Sequence, residues 1–367
     1  MGSRTRIPRL AISLTLLLLY KFSSDNEFCV ASESAAKTQV YQYKLAEPVF
    51  STEFSTASPF NDYSSSSFRS LTLLTYNVWN FNDGPKWEER KIDIANVILS
   101  SNADFVSLNE IRRQGNTSRE TKNMFTDMEK LLGPHGYSGA FQPAMYYGNI
   151  DTVEGVAFFT KLNFIKEEVT ATHLHFQGVD VADRNKRVCL QVPLRLENPN
   201  SILHAFVTHF SYDAKQQQSN AKGIVHFLKE TQKKASSKEG SQFEYVLLGD
   251  LNGGENEATK YLEDEGKMKD SWTVFNVKKG YEDINESNGN TYCNCKYDTH
   301  MNCKLRRRID HILLKESPAI VLRHVEVGPG PETATTKCPS DHRAYIARID
   351  FKNQNQNEVS KFQGFYK

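Results

Sequence analysis

The chain has almost no net charge and little that could cross a membrane. Lys and Arg number 45 against 44 Asp and Glu in 367 residues, a balance of +1, so any electrostatic argument about partners must be local. The one sustained apolar run, Leu10 to Tyr20, is about half of the roughly 20 residues that span a bilayer. It follows Arg4, Arg6 and Arg9 and precedes small residues around Ala31 and Ser32, which is the layout of a secretory signal peptide and not of a stable membrane anchor. No internal repeat is visible, and no Gly-rich nucleotide loop or Ser-His-Asp order competes for the chemistry.

Cysteine is sparse, and secretion changes how its six copies are read. An oxidising compartment favours disulfides over free thiols. Cys293, Cys295 and Cys303 cluster, Cys189 and Cys338 stand apart, and Cys29 is lost if cleavage follows Ser32. Five remain, so one thiol is free or pairs between molecules. A zinc site in CNCKYDTHMNC with His300 as a fourth ligand is the alternative, but the single residue between Cys293 and Cys295 is not structural-zinc spacing. The glycosylation sequons at Asn116 and Asn285 agree with secretion.

What is present is enough apolar sequence, 39% with 11% aromatics, to bury a sizeable core. Residues 1–32 read as signal peptide, 33–70 as a Ser-rich and mostly irregular lead-in, 71–351 as the folded domain and 352–367 as a polar tail. Short strands are expected at LTLLTYNVWN from Leu71, at 104–110, 155–160, 188–192, 202–209, 243–249, 309–314 and 344–351. Amphipathic helices are expected at 87–99 and 214–233, so the domain is α/β.

Polar residues recur where those strands end: Asn77, Glu110, His209, Asp250 with Asn252, Asp310, and Asp341 with His342. Any one of them alone reads as a turn cap or a structural histidine. Asp250 and Asn252, two apart after the apolar run FEYVLLG, share one side of an extended backbone and suit a hard cation or a phosphoryl oxygen.

In order, the segments LTYNVWN, SLNEIRR, EGVAFFT, VTHFSYD, LLGDLNGG, RRRIDHILL and PSDHRA resemble the endonuclease/exonuclease/phosphatase superfamily of deoxyribonuclease I type, over roughly Leu71 to Phe351. The resemblance implies a four-layer α/β sandwich, two mixed β-sheets packed face to face with outer helices. It implies a divalent metal, usually Mg2+ with Ca2+ or Mn2+ possible, held mainly by Glu110 with Asn77 and Asp341 assisting. Asp341 would fix and charge His342, which acts as general base or as a donor to the phosphate; Asp250 is the other candidate base. Asn252 would donate to a phosphoryl oxygen, and Asp310 would pair with His209 to handle the leaving group. Glu154 and Arg187 fall where nucleases place groups around the scissile phosphate. His311 stands where many members carry Tyr.

The implied reaction is attack of metal-activated water on a phosphate ester, with no covalent intermediate. Nucleic acid is the favoured substrate: Lys296, Lys304, Arg306, Arg307 and Arg308 crowd the stretch before Asp310, and Arg112 and Arg113 follow Glu110 where deoxyribonuclease relatives reach the minor groove. A sphingomyelinase-like, inositol or sugar phosphate hydrolase is the alternative, and a silent binding module the remote one.

Overall fold

A computed structural model describes residues 45–51, 68–84, 86–114, 122–147, 152–174, 185–196, 201–236, 243–254, 256–278, 289–293, 305–328 and 339–352, all within the unit that starts at Leu45. The expected signal peptide, both sequons, the polar tail beyond Lys352, Cys29, Cys295, Cys303, Cys338, His300, Lys296 and Lys304 lie outside the described residues.

In chain order the elements are β1 (Val49–Phe50), β2 (Phe68–Asn77), α1 (Trp87–Ser101), β3 (Phe105–Arg113), α2 (Met124–Leu132), β4 (Ser138–Tyr146), β5 (Val153–Thr160), β6 (Thr170–His173), β7 (Val188–Arg195), β8 (Ile202–His209), α3 (Ala214–Ser236), β9 (Glu244–Asp250), α4 (Glu257–Gly266), β10 (Met268–Asp270), α5 (Ser271–Lys278), β11 (Asp310–Lys315), β12 (Ile320–Val327) and β13 (Tyr345–Lys352). They form a seven-stranded sheet, β1-β4-β5-β3-β2-β13-β12, and a six-stranded sheet, β10-β11-β9-β8-β7-β6. The β2–β3 and β8–β9 pairs are parallel and their neighbours antiparallel, so both sheets are mixed. The α/β sandwich expected from the sequence is the architecture found.

Alternation along each strand builds the layers. On β2, Leu71 and Leu73 point to a core shared with Leu190, Val192, Leu203, Val246 and Leu248 of the second sheet, while Leu74 and Tyr76 point to α1 and α2. On β9 every residue is buried, because Val246 and Leu248 meet the first sheet and Tyr245 and Leu247 meet α3 and α4. Gly249 of β9 leaves room for a close backbone approach, since a Cβ there would stand 1.9 Å from the Thr208 carbonyl oxygen. Among the described residues no helix is long and apolar enough to cross a membrane.

Two expectations change. The fold reaches back beyond Leu71: Val49 and Phe50 pair with Phe141 and Ala140, and Ser51 Oγ donates to the Gly139 carbonyl (3.1 Å) and accepts from Gly139 N (2.8 Å). That short strand covers the edge of β4, which would otherwise expose unpaired backbone. Unanticipated as well were β4, β6, β10 and β12 and the helices α2, α4 and α5; β4 contains Pro143, a strand breaker in sequence terms, tolerated here at an irregularity between Pro143 and Met145.

Strand register gathers the polar strand ends. His209 lies abreast of Asp250, Asp250 abreast of Asp310, and Asn77 abreast of Asn109. Buried Asn109 joins the two sheets: its Nδ2 donates to the Thr208 carbonyl (2.7 Å) and its Oδ1 accepts from Asp250 N (3.1 Å). Asn109→Ala strands both backbone groups, so urea unfolding should show a loss on the order of 3 kcal/mol; a change below about 1 kcal/mol would mean that the bridge is dispensable.

Candidate active site

Glu110 owes its position to a bulge. The β3–β5 register slips between Asn109 and Ile111, and Glu110 takes a left-handed backbone with φ 61°. A non-glycine residue there is strained by on the order of 1–3 kcal/mol, which persists only when the surroundings over-determine it. They do: Asn77 Nδ2 donates to one carboxylate oxygen (2.9 Å), and Asn80 donates to the other through its backbone N (3.1 Å) and its Nδ2 (3.2 Å). Ser340 Oγ donates to the Asn77 carbonyl (2.7 Å) and accepts from His342 N (3.2 Å), tying this end of β2 to the turn that carries Asp341 and His342.

The second half of the site centres on Asp250. Its Oδ2 accepts from Asn77 Nδ2 (3.0 Å) and stands 3.5 Å from His209 Nε2 and 3.7 Å from His342 Nε2; its Oδ1 accepts from Asn252 N (2.7 Å). His342 Nδ1 lies 2.7 Å from Asp310 Oδ2. Asn252, also left-handed with φ 53°, spends both amide hydrogens in this state, on the Phe210 carbonyl (2.9 Å) and on His209 Nε2 (3.0 Å). To donate to a phosphoryl oxygen it must exchange its bond to His209.

Burial sets the electrostatics. It pushes Asp250 up to about 7, with Asp310 adding to the rise and His342 opposing it. Burial opposes a charge on His342, yet Asp310 and Asp250 outweigh it and push that imidazole up to about 10. Asp341 rises to about 6 through burial and the charge of Glu110, against the pull of His342. His209 is held well below its ordinary value by burial, Arg187 and His342. In this state His342 is the proton-carrying imidazole and His209 the neutral one.

The site can accommodate a hard cation. Glu110 lies close enough to Asp341 for its charge to raise that group, and both offer oxygen. Asp250, Asp310 and His342 also bring three donor atoms within 4.8 Å of one another, and Asp310 Oδ1 is buried with no hydrogen-bond partner among the described residues.

Several sequence expectations need correcting. Asp310 serves His342 and not His209, because antiparallel register sets it beside Asp250 at the turn where His342 enters. His342 Nδ1 is therefore oriented by Asp310 and not by its neighbour Asp341. Arg112 is buried and is no groove-reaching arginine: it pairs with Glu154 (3.6 Å) and lies over the rings of Tyr147 (4.1 Å) and Phe81 (5.6 Å). Glu154 accepts from the Tyr147 hydroxyl (3.1 Å) and is pushed up to about 8 by burial and Glu110. Arg187, buried, lines one small cavity with Glu154 and His209. Arg306 and Arg307 are exposed, whereas Arg308 is buried against Asp270 (2.8 Å).

Four residues escaped the sequence reading. Asn80 holds Glu110, as described. Thr291 Oγ1 accepts from Ile309 N (3.2 Å) and Asp310 N (3.1 Å). The Tyr292 ring packs 5.0 Å from that of His342, and Arg307 lies over it at 5.4 Å. Arg90 of α1 is buried and donates to the carbonyls of Val78 (2.9 Å), Trp79 (2.7 Å) and Pro339 (2.7 Å). Only Asn80, three residues after Asn77 in the same polar turn, carried a local signal. Cys293, next to Tyr292, is in a disulfide, and Cys189 is a buried free thiol.

Solved structures share this fold at low identity. An endonuclease/exonuclease/phosphatase family protein from Bacteroides thetaiotaomicron is 19% identical, with a TM-score of 0.57 over 78% of this chain and 99% of that one. The human Nocturnin catalytic domain with bound sulfate is 17% identical, with a TM-score of 0.58 over 77% and 95%. D. rerio TDP2 with a single-strand DNA product is 15% identical, with a TM-score of 0.52 over 76% and 98%. No curated protein sequence matches the chain. The sequence model described as Endonuclease/Exonuclease/phosphatase family matches residues 74–342, which runs from the strand ending at Asn77 to His342 itself, and the chain belongs to that family.

Proposed function

We propose that the protein is a secreted, magnesium-dependent phosphodiesterase that hydrolyses nucleic acid. Its family is one of metal-dependent phosphoesterases. The observation that carries the reading is Asp250 Oδ2 standing between two imidazoles, His209 at 3.5 Å and His342 at 3.7 Å, beside the oxygen donors Glu110 and Asp341. Glu110, Asn77 and Asp341 would hold the metal, which when bound polarises the phosphoryl group and acidifies water. Asp250 takes the proton of the attacking water. His342, oriented by Asp310, donates from Nε2 to a phosphoryl oxygen as charge develops there. His209 orients the leaving oxygen, and Asn252 turns its amide from His209 to the phosphate. Water oxygen bonds to phosphorus as its proton passes to Asp250, the ester P–O bond breaks, and the leaving oxygen takes a proton from solvent.

Nucleic acid is favoured by the wall beside His342. Tyr292 N donates to the Arg307 carbonyl (3.0 Å), and Cys293 N donates to the Asp341 carbonyl (3.0 Å), so the exposed Arg306–Arg307 strip is fastened to the catalytic turn. Two cations and an aromatic ring there suit a phosphate backbone and a base. Arg112, withdrawn into its pair with Glu154, no longer supports this choice. Secretion is supported by the Arg-led apolar run Leu10 to Tyr20 near the start of the sequence and by the cysteine cluster around Cys293.

Chelation should abolish hydrolysis and added magnesium restore it. Glu110→Gln should keep its fold, lose the magnesium-dependent rise in melting temperature and lose more than about 100-fold in turnover; His342→Ala should lose a comparable factor. Full activity in chelator or in either variant would remove the assigned role. Arg306→Glu with Arg307→Glu should weaken DNA binding and lower its salt slope by roughly 1 for each phosphate that is no longer neutralised. Turnover of sphingomyelin, inositol phosphates or sugar phosphates with DNA and RNA untouched would overturn the substrate, and no turnover of any would point to a silent module. Peptide mapping of material recovered from culture medium should find Cys293 in a disulfide and residues 1–32 absent; retention in the cell with a reduced Cys293 would refute secretion.

A further inference from the structure

We propose that His311 is a positioning residue for the catalytic loop, its ring wedged between Asp270 and the Gly253 carbonyl so as to set where Asn252 presents its amide. The inference rests on the phosphoesterase reading above.

Alternation on β11 separates the roles of two neighbours. Asp310 turns toward His342, and His311, almost wholly buried, turns to the other side of the sheet. There its Nδ1 lies 2.7 Å from Asp270 Oδ2 and its Nε2 lies 2.9 Å from the Gly253 carbonyl oxygen. Both of those atoms only accept. Asp270 is kept ionised against its burial by Arg308 and His311. The Gly253 carbonyl can only accept, so Nε2 carries a hydrogen and donates to it, while Nδ1 faces Asp270 beside the Arg308 guanidinium. Arg308 Nη1, 3.0 Å from Nδ1, meets the same Asp270 oxygen at 2.8 Å and braces the carboxylate from the side.

The two ends of this strut differ in stiffness. Asp270 also accepts from Thr273 N (3.1 Å) in the first turn of α5, which anchors it to a helix. The other end is the loop after β9, where Asn252 keeps its left-handed backbone between Asp250 and Gly253. A Cβ at Gly253 would stand 2.2 Å from Asn256 Nδ2, so a side chain there would displace that amide. Other ties of that loop are Leu251 N to the Ile309 carbonyl (2.8 Å), Asn252 N to Asp250 Oδ1 (2.7 Å) and Thr259 Oγ1 to the Gly254 carbonyl (3.2 Å). The Asn252 amide adds bonds to the Phe210 carbonyl (2.9 Å) and to His209 (3.0 Å), the last of which is given up when the amide turns to substrate. The His311 bond reaches the residue directly after Asn252. Without it, the peptide directly after Asn252 loses its tie to β11 and the strained backbone is less firmly held.

The test combines kinetics with amide hydrogen exchange on the full chain loaded with magnesium, using a short DNA substrate. His311→Leu should lower kcat by roughly 10–100-fold with KM within about threefold, and should have little further effect in an Asn252→Ala background. Exchange in 251–254 should rise in His311→Leu while β9 keeps its protection, and His311→Gln, which keeps an N–H donor, should recover part of both. Additive losses with Asn252→Ala would reduce His311 to a general stabiliser and overturn the proposal. Unchanged exchange in 251–254 would overturn it too. Should the wild-type protein hydrolyse no phosphoester, the functional reading fails, and exchange alone decides whether His311 holds the loop. If His311→Leu does not fold, His311→Gln takes its place in every comparison.

Discussion

A buried guanidinium holds one half of the active centre together. Arg90 reaches from α1 to the carbonyls of Val78 and Trp79, just after Asn77, and to that of Pro339, just before Asp341 and His342. Its charge lies near the rings of Trp79 (5.4 Å) and Trp87 (5.6 Å). An isolated charge in that place would be strongly unfavourable, and carbonyl oxygens from two separate segments offset it only while both stay put. The guanidinium therefore selects the arrangement in which the Glu110 cradle and the Asp341–His342 turn meet, and it helps to hold Asp341 ionised.

Strain is placed where chemistry is expected. Glu110 and Asn252 both adopt left-handed backbones, one at a bulge and one in the loop beyond β9. Each is enclosed by donors and acceptors, Asn77 and Asn80 around the first and Asp250 and His311 around the second. A relaxed backbone at either position would turn the functional side chain away, so the local destabilisation is tied to the direction of the side chain.

The sequence was most legible where function is written in contiguous residues. LLGDLNGG and PSDHRA each carry their strand, turn and polar groups within a few positions, and Asn77, His209, Asp250, Asp310 and His342 converge as expected. Pairings across the sheets were not legible, because they depend on register between segments far apart in the chain. The pairing of Asp310 with His342 rather than His209 is one such case. Arg112 looked like a surface cation because nothing local announces Glu154 and Tyr147 as its partners. Arg90 sat among the charged residues of an amphipathic helix, and its burial comes entirely from loops it meets in three dimensions.

The site is divided between the sheets. Asn77 and Glu110 belong to the first, His209, Asp250 and Asp310 to the second, and Asn77 to Asp250, Asn109 to Thr208 and His342 to Asp310 cross between them. Those bonds tolerate only tenths of an ångström before they cease to be hydrogen bonds. The active centre thus acts as a gauge of the gap between the sheets. A core substitution at Leu73, Phe158 or Val246 that widens the gap is felt as misalignment of catalytic groups before it is felt as unfolding, so constraint on the chemistry extends to the volume of a core that no substrate touches.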